Sequence, residues 1–448
     1  MSASILMLPW LAYGHASPFF ELAKSFSAKN FDIYFCSTSV ILNTIKETLE
    51  DKFYSSIQLI EIKLPCALLP PLCHSSKDLP PHLFPLLMTA SDSTKPAFCK
   101  ILDTLKPTIV IYDLFQPWAA EAARERNIPA VFFSVFNAAT CSYFEYCRRG
   151  CVGKCPIPEK YLQEKGSDRV FYFMENIVNG MSIKERLMNI VDLSCNIILC
   201  RTSEEVESTY LDYLNTDTTY KELVPVGLLL PKPVYKEDDI GKVVMEWLGK
   251  KEPSSVVYVS FGSNYFLSKE EIDEIARGLE LSEVDFIWVV RFHAENKTSL
   301  DKALPQGFVE RTKGKGFMVE EWAPQAKILG HPSIGGFVSH VGWSSLLEGM
   351  GFGVPIISLP MEADQLCNSL LVLEMGVGME VPKEDKMFKG EDLTRVIRHV
   401  MVQEEGKLIR SKAKEMSEKI RDKKDDHEIN FVAHKLMSLV PPSRCDEW

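Results

Sequence analysis

Apolar residues along this chain fall into short runs separated by helically spaced stretches and polar loops. Ile5–Leu8 is a four-residue apolar run with the length and flanks of a buried parallel strand. Pro9–Ser17 reads as a loop, and Phe19–Ala28 has helical spacing through Phe19, Leu22, Ala23 and Phe26. Phe31–Cys36 is a second strand, ended by Ser37, Thr38 and Ser39. Thr108–Tyr112 and Ala130–Ser134 are later strands, with a helix over Trp118–Arg126 between them. Repeated strand–helix–strand units predict a doubly wound α/β domain. Residues 65–96, rich in Pro, Ser and His, read as a long surface loop with helical pieces, and residues 141–180 as equally irregular.

Pro225–Asp239 holds Pro225, Pro231 and Pro233 and then an acidic patch, and interrupts the pattern as an interdomain linker would. After it the pattern restarts. Val256–Phe261 is a strand, Gly262–Asn264 a tight turn, Ser268–Leu279 a helix and Phe286–Val290 the next strand. Gly335–Ser339, Pro355–Leu359 and Gly378–Val381 complete a second parallel sheet, and Gly406–Lys435 is amphipathic and helical.

Length agrees with two units, since 448 residues exceed one ordinary core. A net charge of −11 argues against a nucleic-acid partner, which needs a basic field. The Lys and Arg of 407–424 are interleaved with acids and read as a solvated helix face. Twelve cysteines without a framework suggest free thiols in a reducing compartment. Cys147, Cys151 and Cys155 have no nearby His to complete a metal site, and Cys66, Cys73 and His74 are discounted in the same way, so no metal is expected. The N-terminus lacks the basic leader of a signal peptide and no run of eighteen apolar residues occurs, so the expectation is a cytoplasmic protein without a membrane segment.

Ligands of open parallel sheets bind beyond the carboxyl ends of the strands. In the first half that rule selects His15 and Asp113. They can meet as a base and its orienting carboxylate, or serve separately as loop and helix caps. In the second half it selects Ser263, His340 and the run Gly342, Trp343, Ser344, Ser345, which opens a helix whose N-terminus suits an anion. Glu348, one turn in, could accept from a ribose diol, Trp322 could stack a base, and Asp364 and Gln365 could bind sugar hydroxyls. Each also has a structural reading, as a half-buried core ring or a helix cap. No P-loop, dinucleotide fingerprint, HExxH or GxSxG occurs.

Trp322–Gln365 opens with Trp-Ala-Pro-Gln, carries His-x-Gly-Trp-x-Ser-x-x-Glu at its centre and Gly-Val-Pro further on, and closes with Asp-Gln. It resembles the signature box of plant UDP-dependent glycosyltransferases of specialised metabolism. The resemblance extends to Gly14-His15, Asp113, the Phe261-Gly262-Ser263 turn and the C-terminal helix. It implies a GT-B fold, two Rossmann-like domains with parallel sheets facing across a cleft. The acceptor domain would be 1–230, with a helix over about 425–448 packing back on it, followed by a linker at 231–240 and a UDP-sugar domain at 241–424. It implies an inverting transfer from UDP-glucose, a co-substrate and not a permanently bound cofactor, by a monomer. His15 would be the base and Asp113 its partner. Trp322 would stack uracil, the Ala323 backbone would pair with its edge, and Gln325 and Glu348 would hold the ribose. His340, Ser263, Ser345 and the N–H groups around Gly342 and Ser344 would bind the diphosphate. Trp343, Asp364 and Gln365 would face the sugar.

Two positions depart from the box: Val341 stands where the family usually has Cys, and Ser344 where it usually has Asn. The closing Gln365 is similar to glucosyl-transferring members. The segments SILMLPW, IYDLFQPWA and EGMGFGVPIISLPMEADQ look most like the branch-forming subgroup, which adds a sugar to a flavonoid, triterpenoid or lignan glycoside. An aglycone-directed glucosyltransferase, a nucleotide-sugar-binding protein without catalysis and an acceptor-free UDP-sugar enzyme are the competing readings.

Overall fold

The buried apolar runs pair as parallel strands in two separate sheets. The computed structural model describes residues 3–47, 56–65, 69–77, 79–159, 161–162, 175–216, 221–231, 239–263, 265–292, 299–320, 322–362, 364–384, 387–422 and 426–440. The chain divides into two compact units, one of Met1–Pro158, Val170–Pro231 and Lys424–Trp448, the other of Glu159–Arg169 and Lys232–Lys423.

The first unit contains β1 (Ser4–Leu8), β2 (Asp32–Ser37), β3 (Ile57–Glu61), β4 (Ile109–Tyr112) and β5 (Ala130–Ser134). A small hairpin, β6 (Ile177–Val178) and β7 (Met181–Ser182), precedes β8 (Ile197–Cys200) and β9 (Glu222–Pro225). The seven-stranded sheet runs β3-β2-β1-β4-β5-β8-β9. Ile5, Met7, Ile33, Phe35, Ile109 and Ile111 pack beneath Phe19 and Phe26 of the helix Tyr13–Ser27. Ile429, Val432 and Leu436 of the helix Asp426–Ser438 are buried in this same core. Burial is worth ~1.5–3 kcal/mol for each such side chain. The exposed Lys435–Glu222 pair at 2.7 Å adds ~0–1 kcal/mol. Apolar packing therefore holds this helix in the first unit.

The second unit contains β10 (Val256–Ser260), β11 (Asp285–Val290), β12 (Gly316–Glu320), β13 (Ile334–Ser339), β14 (Ile356–Ser358) and β15 (Gly378–Glu380). Their order, β12-β11-β10-β13-β14-β15, is that of a dinucleotide-binding sheet. Val257, Val259, Trp288, Val338 and Ile357 form its core with Ile275, Leu279, Leu393 and Val396 from the flanking helices.

Three expectations are corrected. The first helix begins at Tyr13, so His15 lies in its first turn and not in a loop. Pro18 is accommodated because it forfeits only one intrahelical bond, to the Gly14 carbonyl. Residues 138–148 are helical although the stretch from 141 reads as irregular, and Asn137 caps that helix by accepting from the Thr140 N–H. Gly406–Lys435 is not one helix. Lys407–Asp422 belongs to the second unit and Asp426–Ser438 to the first. Asn264, Cys66 and residues 232–238 of the expected linker lie outside the described residues.

Candidate functional site

In the first sheet β1 and β4 are neighbours, with Leu8 opposite Tyr112, and the strand order reverses between them. The chain leaves β4 at Asp113, whose carboxylate is fully buried. One carboxylate oxygen accepts from the Trp10 N–H at 2.8 Å, the other from the Leu114 N–H at 2.6 Å. Both also lie at Nδ1 of His15, at 3.0 and 3.1 Å. Asp113 does not cap the following helix, whose N-cap is Gln116. With its Nδ1–H donated to the carboxylate, the imidazole keeps a lone pair on Nε2. Phe115 and Phe136 flank the ring at 6.1 and 6.0 Å, Phe136 edge-on. The pair can accept a proton at Nε2 and stabilise the imidazolium that results.

In the second sheet the reversal falls between β10 and β13, where Ser260 pairs with Ser339. Beyond these ends lie Gly262, Ser263 and His340. Gly262 has φ +72°, and a Cβ there would stand 2.6 Å from Cε1 and 2.8 Å from Nε2 of His340. A Cβ on Gly342 would stand 2.7 Å from the same Nε2. The imidazole is thus wedged against two backbones that only glycine permits to come so near. Burial lowers the His340 pKa to about 4, so the ring is neutral and offers a hydrogen bond, not a charge. Its Nδ1 is buried and has no hydrogen-bond partner among the described residues. Arg291 donates to the Gly262 carbonyl at 3.0 Å and fixes the turn that carries Ser263.

Val341 is a β-branched residue at φ +56°, a genuine outlier. Two bonds hold it there. Its N–H donates to Ser339 Oγ at 3.0 Å, and its carbonyl accepts from Asn368 Nδ2 at 2.9 Å. The helix Trp343–Gly351 starts immediately afterwards with Gly342 as N-cap, presenting first-turn N–H groups that a helix does not satisfy internally. Ser344 and Ser345 are half-buried in that turn, and Trp343 is buried at 4% exposure. Gln325 Nε2 donates to Glu348 at 3.0 Å and reaches Ser345 Oγ at 3.4 Å, so these three are brought together. Trp322 is 47% exposed and followed by buried Ala323. Asp364 stands at the N-terminal end of the helix Gln365–Met375, makes no side-chain capping bond to its first turn, and accepts from Asn368 Nδ2 at 2.7 Å. The Gln365 side-chain carbonyl accepts from the Met361 and Glu362 N–H groups at 2.7 and 2.9 Å, which leaves its NH2 end to donate.

Asn368, Ser339 and Arg291 were not selected by the sequence reasoning. The only available signal is the four-residue spacing of Asp364 and Asn368, which places them on one helical face. Among the described residues no cluster of His, Cys, Asp or Glu could hold a metal ion, and no helix is long and apolar enough to cross a membrane.

Residues 234–418 match the family model "UDP-glucoronosyl and UDP-glucosyl transferase", and residues 1–230 match a glycosyltransferase N-terminal domain. The chain is 50% identical to the flavanone 7-O-glucoside 2''-O-beta-L-rhamnosyltransferase of Citrus maxima, over 98% of each chain. It is 41% identical to the beta-D-glucosyl crocetin beta-1,6-glucosyltransferase of Gardenia jasminoides, over 97% of this chain and 98% of that one. Among solved structures, a Glycyrrhiza uralensis UGT complexed with glycyrrhetinic acid 3-O-monoglucuronide superposes with a TM-score of 0.83. That match has 24% identity and covers 98% of this chain and 96% of the other. The structural likeness carries the fold, which is GT-B.

Proposed function

The chain belongs to the family of UDP-glucoronosyl and UDP-glucosyl transferases, and we propose that it transfers glucose from UDP-glucose to a sugar hydroxyl of a flavonoid, triterpenoid or lignan glycoside, with inversion. The observation that carries the reading is the bond of His15 Nδ1 to both oxygens of buried Asp113, which leaves Nε2 as a base. In this reading His15 takes the proton of the acceptor hydroxyl as that oxygen attacks the anomeric carbon, and UDP departs. Neutral His340 and the first turn of Trp343–Gly351 stabilise the leaving diphosphate. Trp322 stacks uracil and the Ala323 backbone pairs with its edge. The Gln325–Glu348 pair holds the ribose, while Asp364 and the NH2 end of Gln365 meet the sugar. The glycoside acceptor is supported by the relatives, several of which are named for acting on glycosides. We place the activity in the cytoplasm, in a monomer.

A second donor is favoured by one observation. The Citrus maxima relative, identical at half of the aligned positions, is named a rhamnosyltransferase. The deciding experiment is a UDP-release screen of UDP-glucose and UDP-rhamnose against flavonoid and triterpenoid aglycones and their monoglucosides. The proposal expects turnover on the monoglucosides with UDP-glucose. Turnover on aglycones alone would overturn the branch-forming reading, and UDP-rhamnose as the better donor would replace glucose.

A further inference from the structure

The helix Gln365–Met375 is tied to the strand ends of the second sheet by a chain of hydroxyl groups that finishes on a carboxylate. Ser358 closes β14, Glu380 closes β15, and Ser369 reaches both from the helix. Ser358 and Ser369 are fully buried, with their hydroxyls 2.7 Å apart. Ser369 Oγ donates to Glu380 Oε2 at 2.6 Å, so its lone pair is the acceptor for Ser358.

Glu380 Oε2 takes a second donor from a distant part of the sequence. The Tyr161 hydroxyl donates to it at 2.7 Å and lies 3.2 Å from the Leu366 carbonyl. A phenol has one proton, and the shorter bond to the charged oxygen takes it chiefly. Burial, and then the neighbouring Glu380 charge, raise the Tyr161 pKa well above its ordinary 10, so the hydroxyl stays a donor at neutral pH. Tyr161 lies in Glu159–Arg169, which belongs to the second unit although the sequence up to Pro158 and from Val170 belongs to the first.

These bonds converge on one turn. Leu366 directly follows Gln365, and Ser369 stands four residues beyond Gln365 on the same helix face. Gln365 is buried, and its side-chain carbonyl is committed to the Met361 and Glu362 N–H groups. The direction of its NH2 end therefore follows the placement of that first turn. Apolar packing would hold the turn without fixing its angle. Hydrogen bonds are directional, and a buried oxygen deprived of its donor is costly.

We propose that Tyr161 is a positioning residue for the donor sugar: through Glu380, Ser369 and the Leu366 carbonyl it sets the first turns of Gln365–Met375, and with them the end that presents Asp364 and Gln365. This rests on the reading above that Asp364 and Gln365 meet the sugar, and it adds a residue that touches neither donor nor acceptor.

The test is calorimetric titration of UDP, UDP-glucose and UDP-rhamnose, without acceptor, into the whole chain and its variants. UDP is the control, because its base, ribose and phosphates are assigned to other elements. We expect Tyr161→Phe to weaken the UDP-sugar about fivefold, the worth of one hydrogen bond, with UDP affinity unchanged. Ser369→Ala, which cuts the link from the carboxylate to the helix, gives the same split. Glu380→Gln keeps an acceptor oxygen for Tyr161 and loses less. If UDP and UDP-sugar fall together in Tyr161→Phe, or neither falls, the proposal is overturned; should that variant not fold, Ser369→Ala decides in the same way. Gln365→Ala locates a failure. A selective loss there with none in Tyr161→Phe strikes this proposal alone. A selective loss in Tyr161→Phe with none in Gln365→Ala keeps Tyr161 as a positioning residue and removes Gln365 from the sugar. A loss with UDP-rhamnose but not with UDP-glucose keeps Tyr161 and defeats glucose as the donor.

Discussion

His15 meets Asp113 through a single nitrogen that lies 3.0 and 3.1 Å from the two carboxylate oxygens. The shared contact fixes the tautomer and the ring angle together. The same carboxylate ties down the Trp10 and Leu114 N–H groups, so the imidazole is mounted on the ends of β1 and β4.

If His15 is the base proposed above, His15→Ala lowers kcat by about 10²–10⁴-fold while UDP binds with unchanged affinity. Asp113→Ala should lose less turnover, because in the proposed reading it only orients the imidazole, yet cost more stability. Two buried N–H groups lose their acceptor, at ~1–3 kcal/mol each. Turnover, UDP calorimetry and a thermal melt on both variants separate these effects. Near-wild-type turnover in His15→Ala would remove the residue from the chemistry.

A methyl group at Gly262 or Gly342 would press on the His340 ring, at 2.6 and 2.7 Å. Both Gly262→Ala and Gly342→Ala should therefore displace the imidazole and weaken UDP binding. Gly262→Ala should be worse, because its φ of +72° adds ~1–2 kcal/mol of left-handed strain that Gly342, at φ −55°, escapes. Titration of UDP into each variant reads the difference. Affinities equal to wild type in both would detach His340 from the diphosphate.

The strands that carry the site were legible in the sequence because they are buried on both faces. β1, β10 and β13 are largely apolar runs, the last two ending in Ser260 and Ser339, and the strand-end rule then selects His15, Ser263 and His340 beyond them. β3 and β12 were not legible. Both are sheet edges with half-exposed positions; Gln58 interrupts the apolar run of β3, and that of β12 is only three residues long, Phe317–Val319. β8 is buried, but four apolar residues do not distinguish strand from helix. The start of the first helix was hidden by Gly14 and Pro18, both breakers in isolation. Asn368 was hidden for a different reason: its role exists only once the helix Gln365–Met375 packs beside Val341.

Asn368 uses one amide nitrogen to hold the Val341 carbonyl and the Asp364 carboxylate, at 2.9 and 2.7 Å. Asn368→Ala frees a strained residue beside His340 and a carboxylate assigned to the sugar. We expect ~1–3 kcal/mol of lost stability and a raised KM for the donor, with the acceptor KM unchanged. Asn368→Asp should be worse, since it sets a second carboxylate against Asp364 and the Val341 carbonyl. Steady-state kinetics with each substrate varied in turn gives the split. A rise confined to the acceptor KM would contradict this.

His340 also predicts an acid sensitivity of the fold. Its ordinary pKa is 6.5, and burial lowers it to about 4 in the folded protein. Between those values the unfolded chain binds a proton that the folded chain refuses. Stability is therefore full above pH 6.5 and is lost as pH falls toward 4, by at most roughly 3 kcal/mol. His331 shifts in the same direction, so the informative quantity is the difference between the wild type and His340→Gln. Urea denaturation at pH 7.5 and pH 5 should show the wild type losing roughly 2 kcal/mol more than the variant over that interval. Equal losses would mean that the imidazole takes up its proton without unfolding, and that it can face the diphosphate as a cation.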